Sequence, residues 1–216
     1  MKKSRPNSNK DLVIVGIGSS AGGLEALRLF LSNLPPEHNN IAYVVVQHLS
    51  PTHKSMMREL LARETTFDVL EIQSGLLPKP NTVYITPPDR DVILRNGLFL
   101  LEQPLDRWIG PKPSVDKFFI SLSKEKLELA VGVILSGTGS DGSQGVRAIR
   151  AEGGIAIAQK IEQAKYDGMP ASAIRTKSVD YILPAEDIAK EIIHLLRYPN
   201  SLRVEQAEDD EFNIIF

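Results

Sequence analysis

The chain contains no cysteine, and this absence excludes several kinds of chemistry. Without thiols there is no disulfide framework, no cysteine nucleophile and no cysteine-based zinc site. The chain also has no large excess of either charge, because 25 Lys and Arg residues nearly balance 27 Asp and Glu residues, for a formal net charge of -2. A chain without a basic surplus has no electrostatic footprint for nucleic acid, so we expect no nucleic-acid partner.

The sequence also has no hydrophobic run long enough to cross a bilayer, and no apolar segment follows its basic N-terminus as in a signal peptide. We therefore expect a cytoplasmic protein without direct membrane insertion. With 216 residues, 42% of them hydrophobic, the chain can bury a sizeable core. We expect a flexible arm over 1–10, one folded domain over 11–199 and an acidic linker or tail over 200–216.

Short apolar segments alternate with segments of helical periodicity, which predicts an α/β fold. Nearly continuous apolar strands are typical of a doubly wound, mostly parallel sheet with helices on both faces. Asn96-Gly97 separates two apolar runs, so we also expect an antiparallel hairpin at one edge of the sheet. Beyond a first strand that starts at Val13, the predicted strands of the parallel part are 41–46, 67–72, 129–135, 155–158 and 180–183. A strand over 82–86 is expected to belong with the hairpin to an antiparallel insertion or sheet edge.

The segment Val13–Gly23 organises the chain, because it reads as a buried strand, a tight turn of small residues and the start of a helix. Two motifs overlap there. Gly16-x-Gly18-x-x-Ala21 fits a dinucleotide-binding turn, and Gly18-x-Ser20-x-Gly22 fits a nucleophile elbow. The dinucleotide motif calls for an acidic residue after the second strand, but Gln47-His48 stands there. The elbow is therefore favoured, and a nucleotide-binding module that uses the Gly16–Gly23 turn is the alternative.

Three chemically useful side chains follow predicted parallel strands: Ser20, His48 and Asp141. Carboxyl ends of parallel strands meet at one edge, where ligands gather, so these residues could act as nucleophile, base and orienting acid. Each has a structural alternative, since Ser20 could cap a helix, His48 could be a buried core histidine and Asp141 could cap the helix that follows it. Four other acids compete with Asp141 for the third role: Asp89, Asp91, Asp116 and Asp167.

No third ligand accompanies His48 and His53, so we expect no metal, and the hydrolytic chemistry of a serine needs no cofactor. From the residues alone, the sequence predicts a serine ester or amide hydrolase.

The motifs together resemble one family, the catalytic domain of CheB-type chemotaxis receptor protein-glutamate methylesterases. The resemblance covers 12–196 and is carried by these segments in order: Gly18–Gly23, Gln47-His48, Pro113–Asp116, Gly132–Gly142 and Gly168–Pro170. It implies a doubly wound fold, a Ser20, His48 and Asp141 triad, and receptor glutamate methyl esters as substrate, with glutamine deamidation in some members.

Two further expectations come with the resemblance. The N–H groups of Ala21 and Thr138 are expected to stabilise the oxyanion, although the family commonly has Thr and Met at these positions. The tail Asp209–Phe216 resembles the start of the receptor methyltransferase that is fused to some methylesterases, so a fused or associated methyltransferase is a possible partner besides the receptor's cytoplasmic helices.

Overall fold

The computed structural model describes residues 11–35, 40–48, 56–102 and 112–197. In this part of the chain, seven strands form one sheet, and every neighbouring pair in it is parallel. The strands are β1 (Val13–Ser19), β2 (Ile41–Gln47), β3 (Asp68–Glu71), β4 (Thr82–Ile85), β7 (Ala130–Ile134), β8 (Ile155–Gln159) and β9 (Tyr181–Leu183), and their spatial order is β3-β4-β2-β1-β7-β8-β9. The chain order reverses beside β1, and this central switch is where open sheets of this kind bind ligands.

Helices cover both faces of the sheet, as the apolar pattern predicts. On one face lie α1 (Gly23–Ser32), α2 (Met56–Ala62) and α6 (Ala185–Arg197), and on the other α3 (Val115–Lys126), α4 (Ser143–Ala151) and α5 (Gly168–Arg175). Two hydrophobic clusters fill the spaces between sheet and helices, because alternate residues of each buried strand point to opposite faces. The doubly wound prediction is confirmed. The assignment of 82–86 to the antiparallel part is wrong, because β4 pairs parallel with both β2 and β3.

The predicted hairpin is present as β5 (Asp91–Arg95) and β6 (Leu98–Glu102), which pair antiparallel. Asn96 and Gly97 have φ angles of 53° and 74°, the positive values that a tight two-residue hairpin turn needs. The hairpin forms a two-stranded sheet of its own and packs against α3, where the Ser121 hydroxyl accepts the Leu94 N–H at 3.0 Å. It thereby fixes α3, whose first turn reaches the candidate site.

Several expectations fall outside the described residues: the arm over 1–10, most of the loop before α3, and the tail beyond residue 197 with its possible methyltransferase start. The domain boundaries at 11–199 therefore stay a prediction. Within the described ranges, no helix has both the length and the apolar character needed to cross a membrane.

Candidate active site

Ser20 and His48 lie side by side because β1 and β2 run parallel. Ser19 pairs with Gln47 in the register of the two strands, so Ser20 and His48 are the next residue of each strand. The His48 N–H donates to the Ser19 carbonyl at 3.2 Å and extends the pairing by one residue. Strand register thus brings together two of the side chains that the sequence singled out.

The turn that carries Ser20 is held from both sides. The Ser20 N–H donates to the Ser136 carbonyl at 3.1 Å, and the Ser20 carbonyl accepts the Gly23 N–H at 2.9 Å. Gly22 is the N-cap of α1 and has a φ of 70°, which strongly favours glycine. Gly22 provides no side chain to cap α1, so apart from the Gly23 N–H, which the Ser20 carbonyl accepts, the first turn of this helix has no acceptor from the cap residue.

His48 and Asp141 form the central polar contact of the site. His48 Nε2 lies 2.9 Å from Asp141 Oδ2, and the exposed fraction is only 13% for the His48 side chain and 10% for that of Asp141. Since Nε2 is engaged by the carboxylate, Nδ1 is the nitrogen left for another partner. Sequence reasoning predicted the pair but not which nitrogen meets the acid, because ring orientation depends on packing that motifs do not encode.

The start of α3 holds the Asp141 carboxylate. Its Oδ2 accepts the Val115 N–H at 2.8 Å, and its Oδ1 accepts the Asp116 N–H at 2.9 Å and lies 3.3 Å from the Ser114 hydroxyl. Burial raises the pKa of Asp141, but the bonds from His48, Asp116 and Val115 outweigh it and hold the pKa below its usual range. Asp141 therefore caps α3 and not the helix that follows it, which is a different role from the capping alternative raised by the sequence.

Asp116 does for α4 what Asp141 does for α3. Its Oδ1 accepts the Gly145 N–H in the first turn of α4 at 2.7 Å. Burial raises the pKa of Asp116, and the nearby Asp141 charge adds to the increase while the Gly145 bond opposes it. Asp141, which precedes α4, therefore caps α3, and Asp116, which lies in α3, caps α4. These reciprocal hydrogen bonds hold Asp141 in place.

The other competing acids are not bonded to His48 in the described structure. Asp91 is buried at the start of β5, where it accepts the Ser114 N–H at 2.9 Å and the Lys117 ammonium at 2.7 Å. Asp89 lies in a turn with a φ of 61°, and Asp167 occupies the N-cap position of α5 without a side-chain cap bond. Asp91 supports Ser114 and through it the start of α3, a role that no motif signals.

Ala21 directly follows Ser20, and Thr138 lies in the turn after β7, next to Gly137, which approaches Ser20. Both Ala21 and Thr138 are exposed. Neither N–H has an acceptor among the described residues. The Ala21 carbonyl accepts the Ser136 hydroxyl at 3.1 Å, and the Gly137 N–H before Thr138 donates to the Tyr166 carbonyl at 2.9 Å. The backbone on both sides is therefore fixed while the two N–H groups stay available.

Ser136 is a residue whose part the sequence did not reveal. Its side chain is buried, and its hydroxyl also accepts the Tyr166 N–H at 3.0 Å. It joins three segments, since it contacts the Ser20 turn, belongs to the β7 turn and holds the segment before α5. Its place in the Gly132–Gly142 motif was the only signal available.

Comparisons with known proteins identify the family and the fold. The sequence model of the CheB methylesterase family matches residues 15–192. The crystal structure of the Thermotoga maritima CheB methylesterase catalytic domain is similar, with a TM-score of 0.79 and 34% identity, over 85% of this chain and 98% of that one.

Named relatives point the same way. A protein-glutamate methylesterase/protein-glutamine glutaminase of Moorella thermoacetica is 33% identical over 88% of this chain, which spans only 46% of that protein. A putative one of Leptospira interrogans is 32% identical over 87% of this chain and 95% of its own length. An uncharacterised 104.1 kDa protein of Rhodobacter capsulatus is 40% identical over 70% of this chain and 16% of its own. The resemblance seen in the motifs is confirmed, and the chain belongs to the CheB methylesterase family.

Proposed function

We propose that this chain hydrolyses γ-methyl esters of glutamate side chains on chemotaxis receptors, with Ser20 as nucleophile. The proposal rests on the 2.9 Å contact between His48 and Asp141. His48 follows β2, and Ser20 follows the neighbouring strand β1 at the start of α1. A histidine oriented by a buried carboxylate and adjacent to a serine is the arrangement that activates a hydroxyl for acyl transfer.

In the first step the Ser20 Oγ attacks the ester carbonyl and its proton passes to His48 Nδ1. Because Nε2 is held by Asp141, the carboxylate stabilises the imidazolium that forms. The C–O bond to methoxide then breaks, and the imidazolium returns its proton so that methanol leaves. Water attacks the acyl-enzyme by the same route and releases the glutamate carboxylate and free Ser20.

The negative charge of the tetrahedral intermediate falls on the former carbonyl oxygen. The Ala21 and Thr138 N–H groups suit this oxygen, since both lack an acceptor in the described structure and both lie on braced turns. The open start of α1 adds a favourable dipole. Backbone donors of this kind act whatever the side chain is, so Ala21 and Thr138 need not match the residues common in the family.

The substrate rests on relatives. The Moorella and Leptospira proteins are named for both methylesterase and glutaminase activities, and an amide carbonyl presents the same geometry to Ser20 with ammonia as leaving group. We infer both activities here, with the receptor's cytoplasmic helices as partner. A fused or associated methyltransferase and a cytoplasmic location stay predictions of the sequence.

The test is methanol release from methylated receptor, with Ser20→Ala and His48→Ala each expected to lower kcat by on the order of 10⁴ or more. The double variant should be no slower than either single one, because the residues act as a unit. Ser19→Ala is the matched control, since the neighbouring buried hydroxyl has no hydrogen-bond partner in the described structure and its loss should change kcat less than about threefold.

Normal turnover in Ser20→Ala would remove the mechanism. Thermal stabilisation of the wild type by NAD or ATP, with no ester turnover, would instead favour the nucleotide-binding alternative. A chelator arm is included because nothing in the proposed steps uses a metal, so EDTA is expected to leave the rate unchanged.

A further inference from the structure

Tyr166 stands at the rim of the site with 44% of its surface exposed. Its ring lies against the turn that follows Ser20, because a β-carbon on Gly22 would be only 2.9 Å from its Cδ2 atom. The chemistry described above does not need an exposed aromatic ring against Gly22, two residues after the nucleophile.

The backbone of Tyr166 is rigidly attached to that turn. Its N–H donates to the Ser136 hydroxyl at 3.0 Å, and its carbonyl accepts the Gly137 N–H at 2.9 Å. The same Ser136 hydroxyl donates to the Ala21 carbonyl at 3.1 Å. The backbone that carries the ring is therefore held by the residue that also braces the Ala21 turn, so the fold keeps Tyr166 beside this turn.

A glutamate ester brings its own backbone close to this rim. Three C–C bonds of about 1.5 Å separate Cα from the γ-carbonyl carbon, so the substrate's main chain must lie within roughly 4 Å of the atom that Ser20 attacks. A small ester has no such main chain. The residues that flank the ester in a protein substrate therefore come close to the rim of the site, where Tyr166 stands.

Charge does not explain recognition at this part of the rim. Between β8 and α5 the chain carries two cations, Lys160 and Lys165, and two anions, Glu162 and Asp167, all of them exposed. These charges cancel, so contact energy must come from apolar surface. Of the two exposed large apolar side chains in this segment, Tyr166 (44%) is more exposed than Ile161 (36%), and its ring lies against the Ser20 turn. Rigid aromatic side chains are the residues that most often dominate protein interfaces.

We propose that Tyr166 is a substrate-contact residue that packs against the polypeptide flanking the esterified glutamate and so gives the site its preference for protein over small esters. This rests on the proposed function. Removal of the ring should weaken binding of the protein substrate and leave the chemistry at Ser20 unchanged.

The experiment measures two substrates side by side: methylated receptor, followed by methanol release, and p-nitrophenyl acetate. Tyr166→Ala is expected to raise KM for receptor about tenfold, as loss of an aromatic anchor does, with kcat/KM for the small ester within about threefold of wild type. Tyr166→Phe keeps the ring and should behave as wild type on both substrates. Leu77→Ala, between β3 and β4, removes a side chain of similar exposure, 45%, and should change neither.

An unchanged receptor KM in Tyr166→Ala would overturn the proposal. So would an equal loss on both substrates, because the ring would then be supporting the Ser20 turn and not the substrate. Tyr166→Leu provides a bulky second variant should the alanine variant fold poorly, with the same rise in receptor KM expected. Absence of Ser20-dependent turnover of either substrate by the wild type would refute the proposed function itself, which is a different outcome.

Discussion

Two turns of this molecule have the same plan and opposite chemistry. One leads from β1 through Ser20 into α1, and the other leads from β7 through Asp141 into α4. Each joins a buried parallel strand to a helix, and each has a left-handed glycine as N-cap, Gly22 with a φ of 70° and Gly142 with a φ of 94°. Neither glycine can provide a side-chain cap.

The difference lies in what reaches the helix start from elsewhere. At α4, the Asp116 carboxylate accepts the Gly145 N–H at 2.7 Å, so a side-chain acceptor already occupies the helix start. At α1, no side chain of the described residues bonds the first turn in this way. A helix start without a side-chain acceptor can stabilise a negative charge that forms only during the reaction. A helix start already bonded to a carboxylate, as in α4, serves to hold the structure together.

Asp141→Asn should produce the largest change within this comparison. The amide keeps one acceptor for the start of α3 but cannot stabilise the imidazolium of His48, so kcat/KM should fall by about 10⁴. Steady-state methanol release measures this. The fold should persist, and a fall of less than tenfold with an intact circular-dichroism spectrum would show that Asp141 acts only as a helix cap.

The contrast between the two turns also shows how far the sequence could reach. Alternating apolar segments predicted the sheet and both helical layers, because burial on two faces leaves a continuous apolar signature. Ser20, His48 and Asp141 could be selected because each follows a predicted strand. Because β1 and β2 are neighbours and Ser19 pairs with Gln47 in parallel register, Ser20 and His48 come next to each other.

What the sequence could not give is which partner each polar group takes. Asp141 precedes α4 yet caps α3, and Asp116 lies in α3 yet caps α4. Such exchanged caps join residues 25 and 29 positions apart, and no local spacing rule encodes them. Ser136 and Tyr166 escaped notice for the same reason, since their contacts depend on the packing of three turns against one another.

Gly22→Ala should have the next largest effect, because it disturbs the open turn itself. A β-carbon there would crowd Tyr166 Cδ2 at 2.9 Å and Ser136 Oγ at 3.0 Å. Displacement of the adjacent Ala21 N–H should lower kcat by about 10- to 100-fold, somewhat less than loss of a whole oxyanion donor. The left-handed backbone adds a cost of about 1–2 kcal/mol in the free energy of unfolding.

Gly153→Ala separates these two effects. Gly153 also has a positive φ, 83°, but a β-carbon there would meet nothing within 4 Å. We expect a similar loss of stability, seen by urea unfolding, and unchanged kcat. Equal activity losses in the two variants would mean that the crowding at Gly22 is irrelevant to catalysis.

Asp116→Ala tests the occupied turn, and a smaller effect is expected. Loss of the α4 cap should reduce the free energy of unfolding by about 1 kcal/mol, the usual value of a helix cap. Asp116→Asn retains an acceptor for the Gly145 N–H and should lose less. Thermal unfolding measures both, and a change in kcat greater than tenfold in the asparagine variant would contradict the purely structural role assigned to this turn.

The smallest expected effect is the pH dependence of stability, in which the two carboxylates should differ in sign. The pKa of Asp141 is lowered in the folded state by the bonds from His48 and the start of α3, so its contribution to stability is present above the unfolded pKa of about 3.9 and is lost as pH falls through the folded pKa. The pKa of Asp116 is raised, chiefly by burial. Its ionised form therefore destabilises the fold, and this cost appears as pH rises from about 3.9 through the raised pKa.

In urea unfolding across this acidic range, the stability of wild type relative to Asp141→Asn should increase with pH below about 3.9. The stability of wild type relative to Asp116→Asn should decrease with pH above that value. Parallel slopes in the two comparisons would show that the two acids share one environment and that the exchange of caps does not distinguish them.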